Sequence, residues 1–435
     1  MTVIGQSAVT HRLKCVAPIV DCFSIKKQVE FSGESTIEES KPKPQENAMY
    51  GLKAIIIGAG MAGLAAGIAL RQAGYEVEIY EKTRKLRPAG AGISLWSNGV
   101  KILNKLGLGR EIAQIGGEMN RMEYRSHTDE VLNHVNLLPL IASVGERPYP
   151  VSRTDLQQIM LEAFGEADVQ LGMRCVAVEQ DENSATAIFE DGTTATGDLI
   201  IGADGVHSVV RHHVTGVETQ VRYAGYVNWN GIVTASPDLA EKDVWVIYVG
   251  DQKRASMMPI GDNRFYFFFG CPMQKGTEVE PEKRGEELAK IFAGWPQAVQ
   301  NLIAKINPLE VNRLEIGDID PLPQLAKNRV VIVGDSAHAT TPTLGQGGCQ
   351  AMEDAEVLSR FLITTNISVP DALKRYEAER KERTANLVLK ARKRTDTIYG
   401  NPPELTQQWY KQLKDEKEQD VIQALEKVIL GGPLR

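Results

Sequence analysis

Lys53-Ala54-Ile55-Ile56-Ile57-Gly58-Ala59-Gly60-Met61-Ala62-Gly63, with Glu81 downstream, decides how this chain folds. The apolar run 52–57 predicts a buried strand, 62–73 a helix and 76–80 a second strand, which together make a βαβ opening. Gly58 permits the tight turn after the strand. Gly60 lets backbone N–H groups approach a pyrophosphate, and Gly63 lets the helix pack closely on the strand. The positive end of the helix then faces the phosphates. Glu81 stands near the spacing of an acid that binds ribose hydroxyls, and an acid there disfavours a 2′-phosphate. A turn that merely happens to hold three glycines would not call for that acid.

Two further segments follow at intervals of about 140 residues. One is Asp198-Leu199-Ile200-Ile201-Gly202-Ala203-Asp204-Gly205, running on to Ser208 and Arg211. The other is Gly334-Asp335-Ser336-Ala337-His338, followed by Pro342 and Gly345-Gln346-Gly347-Gly348. Between them, 176–189 reads as a small hairpin, and 244–249, 254–258 and 264–269 as an antiparallel meander. Residues 329–333 read as a late buried strand. Helices are expected at 156–164, 350–393 and 405–430. No second complete GxGxxG segment occurs. Alternating βα units with a long antiparallel insert predict an α/β fold: a Rossmann-like nucleotide domain, an inserted sheet domain and C-terminal helices. The expected division is 49–125, 150–220 and 325–395 for the nucleotide domain, 126–149 and 221–324 for the sheet domain, and 396–435 for the helical end.

The chain has 435 residues, 43% hydrophobic and 24% charged, as in a globular protein large enough for two or three domains. A net charge of −7 gives no general attraction to nucleic acid or anionic membrane, and no apolar run reaches the ~20 residues of a membrane span. Five scattered cysteines, Cys15, Cys22, Cys175, Cys271 and Cys349, point to a reducing, cytoplasmic setting and to no metal site. Residues 1–48 look foreign to the fold and read as a disordered tail or as a start upstream of the natural Met49.

The order and spacing of the three segments resemble the aromatic-ring flavoprotein monooxygenases of the para-hydroxybenzoate-hydroxylase type. The resemblance covers about 52–435. It implies a GR2-type FAD domain with tightly but non-covalently bound FAD, and NADH or NADPH as a diffusible donor docking over that domain. It implies Asp335 near the ribityl chain and the backbone of Gly345, Gln346, Gly347, Gly348 and Cys349 near the flavin ring. It places Glu81, Lys82, Ser94, Arg153 and Asp204 about the cofactor beside Gly58, Gly60 and Gly63, with Arg211 contributing to donor recognition. His338 lies inside the cofactor motif and is read as structural. In this family NAD(P)H reduces FAD, O2 forms a flavin C4a-hydroperoxide, and its terminal oxygen goes to an electron-rich ring. The protein's part is to orient and desolvate that ring.

Two patches suit this task. One is 222–231, from Arg222 to Gly231. The other is the hairpin 253–269, in which pairing about Gly261 would set Arg254 opposite Phe268 and Ser256 opposite Tyr266, all four on one face. A cation beside aromatic rings there would clamp a flat anion, with Asn228 adding an amide contact. An ordinary amphipathic hairpin with a surface arginine fits the same spacing. The stretches 223–231, 264–269, 340–349, 389–394 and 431–434 narrow the resemblance to the bacterial FAD-dependent urate hydroxylases of purine breakdown, which form 5-hydroxyisourate. That implies Asn228, Arg254, Tyr266, Phe267 and Phe268 around the substrate, with Arg254 and Tyr266 serving the chemistry. Thr343 departs from the acidic residue expected there in several relatives. Two alternatives stay open: a hydroxylase of a salicylate- or pyridine-type acid, and a non-hydroxylating FAD module. The C-terminal helices either pack on the core or form a homodimer contact.

Overall fold

The structure is a computed structural model that describes residues 51–86, 91–400 and 402–434; the expectation for the N-terminal tail falls outside these. A six-stranded sheet runs in the order Ala326–Lys327, Val330–Ile332, Leu199–Gly202, Lys53–Ile57, Glu76–Glu81, Val169–Leu171. All its pairings are parallel except the edge hairpin 326–332. Ile57, Gly202 and Ile332 lie side by side at the ends of adjacent strands. The three loops that follow, each carrying one of the three motifs, therefore leave the sheet together at its C-terminal edge, where open α/β sheets bind ligands. Parallel strands buried on both faces need unbroken apolar sequence, and Ala54, Ile55, Ile56, Leu199, Ile200 and Ile201 are each 0% exposed.

The helix Met61–Gln72 is small and apolar on most sides, and Gly63 through Leu70 are all buried. Its Gly67 Cβ position lies 3.0 Å from both Ile79 and Phe164, so small residues set its distance from the sheet. The long helix Gly347–Leu362 packs on its outer side.

A seven-stranded sheet runs Asn312–Asp318, Arg222–Thr234, Arg264–Pro272, Lys253–Ile260, Val244–Gly250, Arg121–Ser126, Val131–Asn136. The strand Arg121–Ser126 pairs parallel to Val244–Gly250, so this sheet takes in the chain from 121 rather than from 126. Its two faces have different partners. Val227, Trp229, Phe265, Phe267 and Phe269 form a core with the helices Arg284–Ile291 and Gln297–Lys305. On the other face, Tyr226, Ile247 and Val249 meet Ile398, Tyr399 and Trp409, while Met258 and Tyr266 join the Trp96 and Cys349 cluster.

Two expectations need correcting here. The meander hairpin pairs Arg254 with Gly270, Ser256 with Phe268 and Met258 with Tyr266, two residues away from the predicted register. The turn is Gly261–Asn263, with Asp262 at φ +61° and Asn263 at +54°, side chains that tolerate the left-handed region. A two-residue slip preserves parity, so Arg254, Ser256, Tyr266 and Phe268 still share a face. The boundary at 395 also fails, because one helix runs unbroken over Val369–Tyr399. Pro403–Asp415 and Glu418–Ile429 follow it as two helices, with the break at 416–417.

Candidate active site

At the nucleotide end each glycine of the fingerprint has a distinct role. Gly58 has φ +109°, and a Cβ there would lie 2.3 Å from the Ala203 carbonyl oxygen. A Cβ on Gly63 would lie 1.9 Å from the Gly58 carbonyl oxygen, so helix and turn meet without clearance. A Cβ on Gly60 would meet nothing within 4 Å. The chain is thus bare on that side, at the positive end of a buried helix whose first amides have no partner within the helix, which is the cradle a pyrophosphate fills. Glu81, 9% exposed, accepts from the Ala59 N–H at 3.0 Å and the Thr83 N–H at 2.9 Å. Lys82 beside it is exposed.

The second and third segments are tied to each other. Asp204 accepts from the Val209 and Val210 amides at 2.7 and 3.3 Å and from the Ser336 hydroxyl at 3.0 Å, and the Gly205 N–H donates to that hydroxyl at 2.9 Å. Arg211 is only 3% exposed. Its guanidinium donates to the carbonyls of Ser336 (3.1 Å) and Val206 (2.5 Å), so it buttresses these loops from behind and does not face a docking donor, contrary to expectation. Gly334 adopts φ +57°, with its N–H on Asp354 at 2.8 Å, and sets Asp335 outward and exposed. His338 pairs with Asp354 at 2.6 Å and is 4% exposed, a structural placement.

Asp354 belongs to a buried charge network. Arg380 donates to Asp354 at 2.7 Å and to Glu353 at 2.6 Å, and Arg383 also holds Glu353. Burial pushes both carboxyls up, but His338 and Arg380 at Asp354, and Arg380 and Arg383 at Glu353, more than reverse it, holding Asp354 well below its ordinary range and lowering Glu353. Asn98 bridges Glu353 at 2.8 Å to the Gln346 side chain at 3.0 Å. The Gln346 side chain therefore points inward, and only its backbone is left to face a flavin. The Cys349 thiol is also turned away. It is 0% exposed, accepts from the Trp96 N–H at 3.3 Å, and burial pushes it up to about 12. Gly345, at φ +63°, and Gly348 pack against Ser94 and Ile93; Cβ atoms there would come within 2.7 Å of Ser94 Oγ and 2.3 Å of Ile93. Thr343, the departure noted above, hydrogen-bonds to the Ala391 carbonyl at 2.8 Å.

The strand Gly92–Leu95, paired with Tyr149–Ser152, joins this end to the seven-stranded sheet. The Ala91 N–H donates to Asn230 Oδ1 at 3.0 Å, and the Tyr266 ring packs on Gly92. Arg153 donates to the Gly92 carbonyl at 3.1 Å. Burial pushes the Tyr266 phenol up to about 12, against the pull of the Arg153 charge, so it stays neutral and able to donate.

Asn228, Gly270 and Arg254 occupy one cross-strand row on this face. Asn228 Oδ1 accepts from Asn230 Nδ2 at 2.8 Å. Arg254 is 6% exposed, forms no ion pair among the described residues, and leaves its Nε without a partner. Its guanidinium stands 5.2 Å from the Phe268 ring centroid. Phe267 does not join them. The two-residue period of the strand sends it to the opposite face, where it packs against Phe269 and Gly231, 1% exposed. Two neighbours escaped the sequence reading. Gly270 carried a signal, since a glycine inside an aromatic strand marks a close approach. Tyr399 carried none, because only the tertiary fold brings the end of its helix to Arg254.

The family model described as an FAD binding domain matches residues 52–391. The chain is 46% identical over 384 residues to the FAD-dependent urate hydroxylase of Klebsiella pneumoniae subsp. pneumoniae, covering 88% of this chain and 100% of that protein. It is equally 46% identical to the protein of that description from Mycolicibacterium vanbaalenii, over 88% of this chain and 98% of the other. Among solved structures, Klebsiella pneumoniae HpxO complexed with FAD and uric acid superposes with a TM-score of 0.86 at 45% identity, covering 88% of this chain and 98% of that one. With three motif loops converging on one sheet edge and a bare glycine cradle suited to a dinucleotide, this chain belongs to the FAD-binding-domain family of flavoproteins.

Proposed function

We propose that the protein is an FAD-dependent monooxygenase that hydroxylates urate to 5-hydroxyisourate, using NADH or NADPH and O2. The observation that carries the substrate is Arg254. A guanidinium so buried, with no carboxylate beside it among the described residues, is costly unless an anion completes it. Urate is a monoanion at neutral pH, planar and lined with hydrogen-bond acceptors, and the relatives' activity agrees with it.

When bound, FAD supplies the redox chemistry and the activation of O2. Gly58, Gly60 and Gly63 would hold its pyrophosphate, Glu81 and Asp335 its sugar-like portions, and the backbone of 345–349 the ring. The rest falls to this chain's own side chains. Arg254 binds the anion and, being permanently cationic, stabilises charge moving through the purine. Asn228 supplies amide N–H groups and Phe268 an aromatic wall. Tyr266, kept neutral by burial and packed on Gly92, would offer its hydroxyl to the substrate. The ring is already electron-rich as an anion, so no side-chain base is needed to ionise it, as a phenol would require.

The test is to add urate and NADH, then NADPH, to purified holoenzyme in air and to follow both absorbances. Loss of urate matched to donor oxidation supports the reading. Donor oxidation that ignores urate and rises instead with a salicylate- or pyridine-type acid would replace the substrate. FAD binding without any ligand-dependent oxidation would reduce the protein to a redox module.

A further inference from the structure

The helix Val369–Tyr399 ends above the sheet row that carries Asn228, Gly270 and Arg254. Gly270 leaves a gap in the middle of that row, and the Tyr399 hydroxyl fills it. A Cβ on Gly270 would lie 2.1 Å from that oxygen. The hydroxyl thus sits between the positions of Asn228 and Arg254, on the face where the unpaired guanidinium is. The Tyr399 ring stacks on Tyr226, with centroids 3.9 Å apart and planes 21° from parallel, which fixes its direction.

The helix end is itself pinned. Gly400 caps it at φ +67°, where a side chain would strike Gln252 at 2.8 Å, and the Gln252 N–H donates to the Tyr410 hydroxyl at 3.2 Å. Both contacts fall on Gln252, in the turn that leads into the strand Lys253–Ile260, two residues before Arg254.

The chemistry at this point is specific. A guanidinium only donates, and Asn228 has its oxygen occupied by Asn230. A phenol hydroxyl can do both: accept from a guanidinium and present its own hydrogen to an acceptor beyond. Burial pushes Tyr399 up to about 12 while the Arg254 charge pulls the other way, so the group is a neutral phenol at ordinary pH. We infer that Tyr399 is a positioning residue for the anionic substrate, holding the Arg254 guanidinium in place beside Asn228 through the gap at Gly270; this rests on the urate reading above.

The test uses the full-length, FAD-loaded protein with urate as the probe. Tyr399→Phe keeps the ring and its stack and removes only the hydroxyl. Its FAD content should match wild type, its KM for urate should rise about tenfold or more, and kcat should fall by less than KM rises. Less urate should be hydroxylated per donor oxidised. In an Arg254→Gln background the same substitution should change KM by less than about twofold, because the group it acts through is gone. Gly270→Ala, which drives the hydroxyl out of the row, should reproduce the KM rise, and it carries the test alone if Tyr399→Phe does not fold. Wild-type KM and coupling in Gly270→Ala or Tyr399→Phe would overturn the inference, as would an undiminished effect of Tyr399→Phe in the Arg254→Gln protein. If wild type consumes urate while these variants behave normally, only this inference falls. If wild type ignores urate, the functional reading falls and takes the inference with it.

Discussion

Replacing Arg254 by methionine should move stability and function in opposite directions. The native side chain is 6% exposed and, among the described residues, has no ion pair and leaves Nε unpartnered. Withdrawing such a charge from water costs several kcal/mol, of which the Phe268 ring at 5.2 Å returns about 0.5–2 kcal/mol. An apolar side chain of similar length removes the penalty and keeps the packing, for a net gain of about 1–3 kcal/mol. With an unfolding entropy of about 0.8 kcal/mol/K for a body of roughly 390 residues, Tm of the urate-free holoenzyme should rise by about 1–4 °C. Urate binding should weaken by about 2–5 kcal/mol, or roughly thirtyfold to several thousandfold, since the anion loses its only buried cation in that row. FAD should stay, because the glycine cradle lies on another sheet. The assays are calorimetric melting, flavin absorbance of the gel-filtered protein, and urate-dependent donor oxidation. A Tm several degrees below wild type with urate dependence intact would refute the reasoning. So would loss of FAD with the hydroxylation-to-oxidation ratio preserved.

The remaining predictions concern the cofactor end and the buried network. Gly60→Ala should fold with an apoprotein Tm within about 1 °C of wild type yet release FAD on gel filtration, because a Cβ at Gly60 meets nothing of the chain and would enter the space proposed for the pyrophosphate. Gly63→Ala should instead cost folding itself, since its Cβ would meet the Gly58 carbonyl oxygen at 1.9 Å; equal behaviour of the two variants would contradict the division of roles. Arg380→Met leaves Glu353 and Asp354 buried with fewer partners and should lower Tm by roughly 4–6 °C, from about 3–5 kcal/mol, as read by calorimetry. Glu353 and Asp354 have folded pKa values below their unfolded ones. Their stabilisation is therefore fully present above the ordinary carboxylate range and is lost as pH falls through and below it. Melting curves between about pH 3 and 6 should show this loss, and Asp354→Asn should flatten it.

Local physics made the nucleotide end legible. A strand, a glycine turn and a helix are short-range features, and the role of Gly63 follows from Gly58 close in sequence, although Gly58 itself is also set by the distant Ala203 carbonyl. The convergence of the three motif loops was implied by their likeness to known flavoproteins, and the parallel register of Ile57, Gly202 and Ile332 is its physical cause. The substrate end was only partly legible. Period-2 parity survived a two-residue error in the hairpin register, so the face carrying Arg254 and Tyr266 was predicted correctly while its pairing was not. The same parity, applied to Phe267, would have excluded it. Arg211 was misread because a basic residue next to a motif looks the same in sequence whether it faces a ligand or props the loop from behind. The Arg380 network and the Tyr399 approach are contacts across the fold between one long helix and segments far away in sequence, and no local pattern announces them.

The network around Arg380 also bears on how the protein is made. Arg383 grips Glu353 and reaches the Val428 carbonyl at 3.0 Å, so the last helix is stitched to the helix Gly347–Leu362. Asp354, held by Arg380, in turn fixes the Gly334 amide. The fingerprint at Gly58–Gly63 leaves the ribosome early, but the parts that hold Gly334 and Gln346 in position are translated last. Cofactor retention should therefore be completed late in maturation, once the C-terminal helices have arrived.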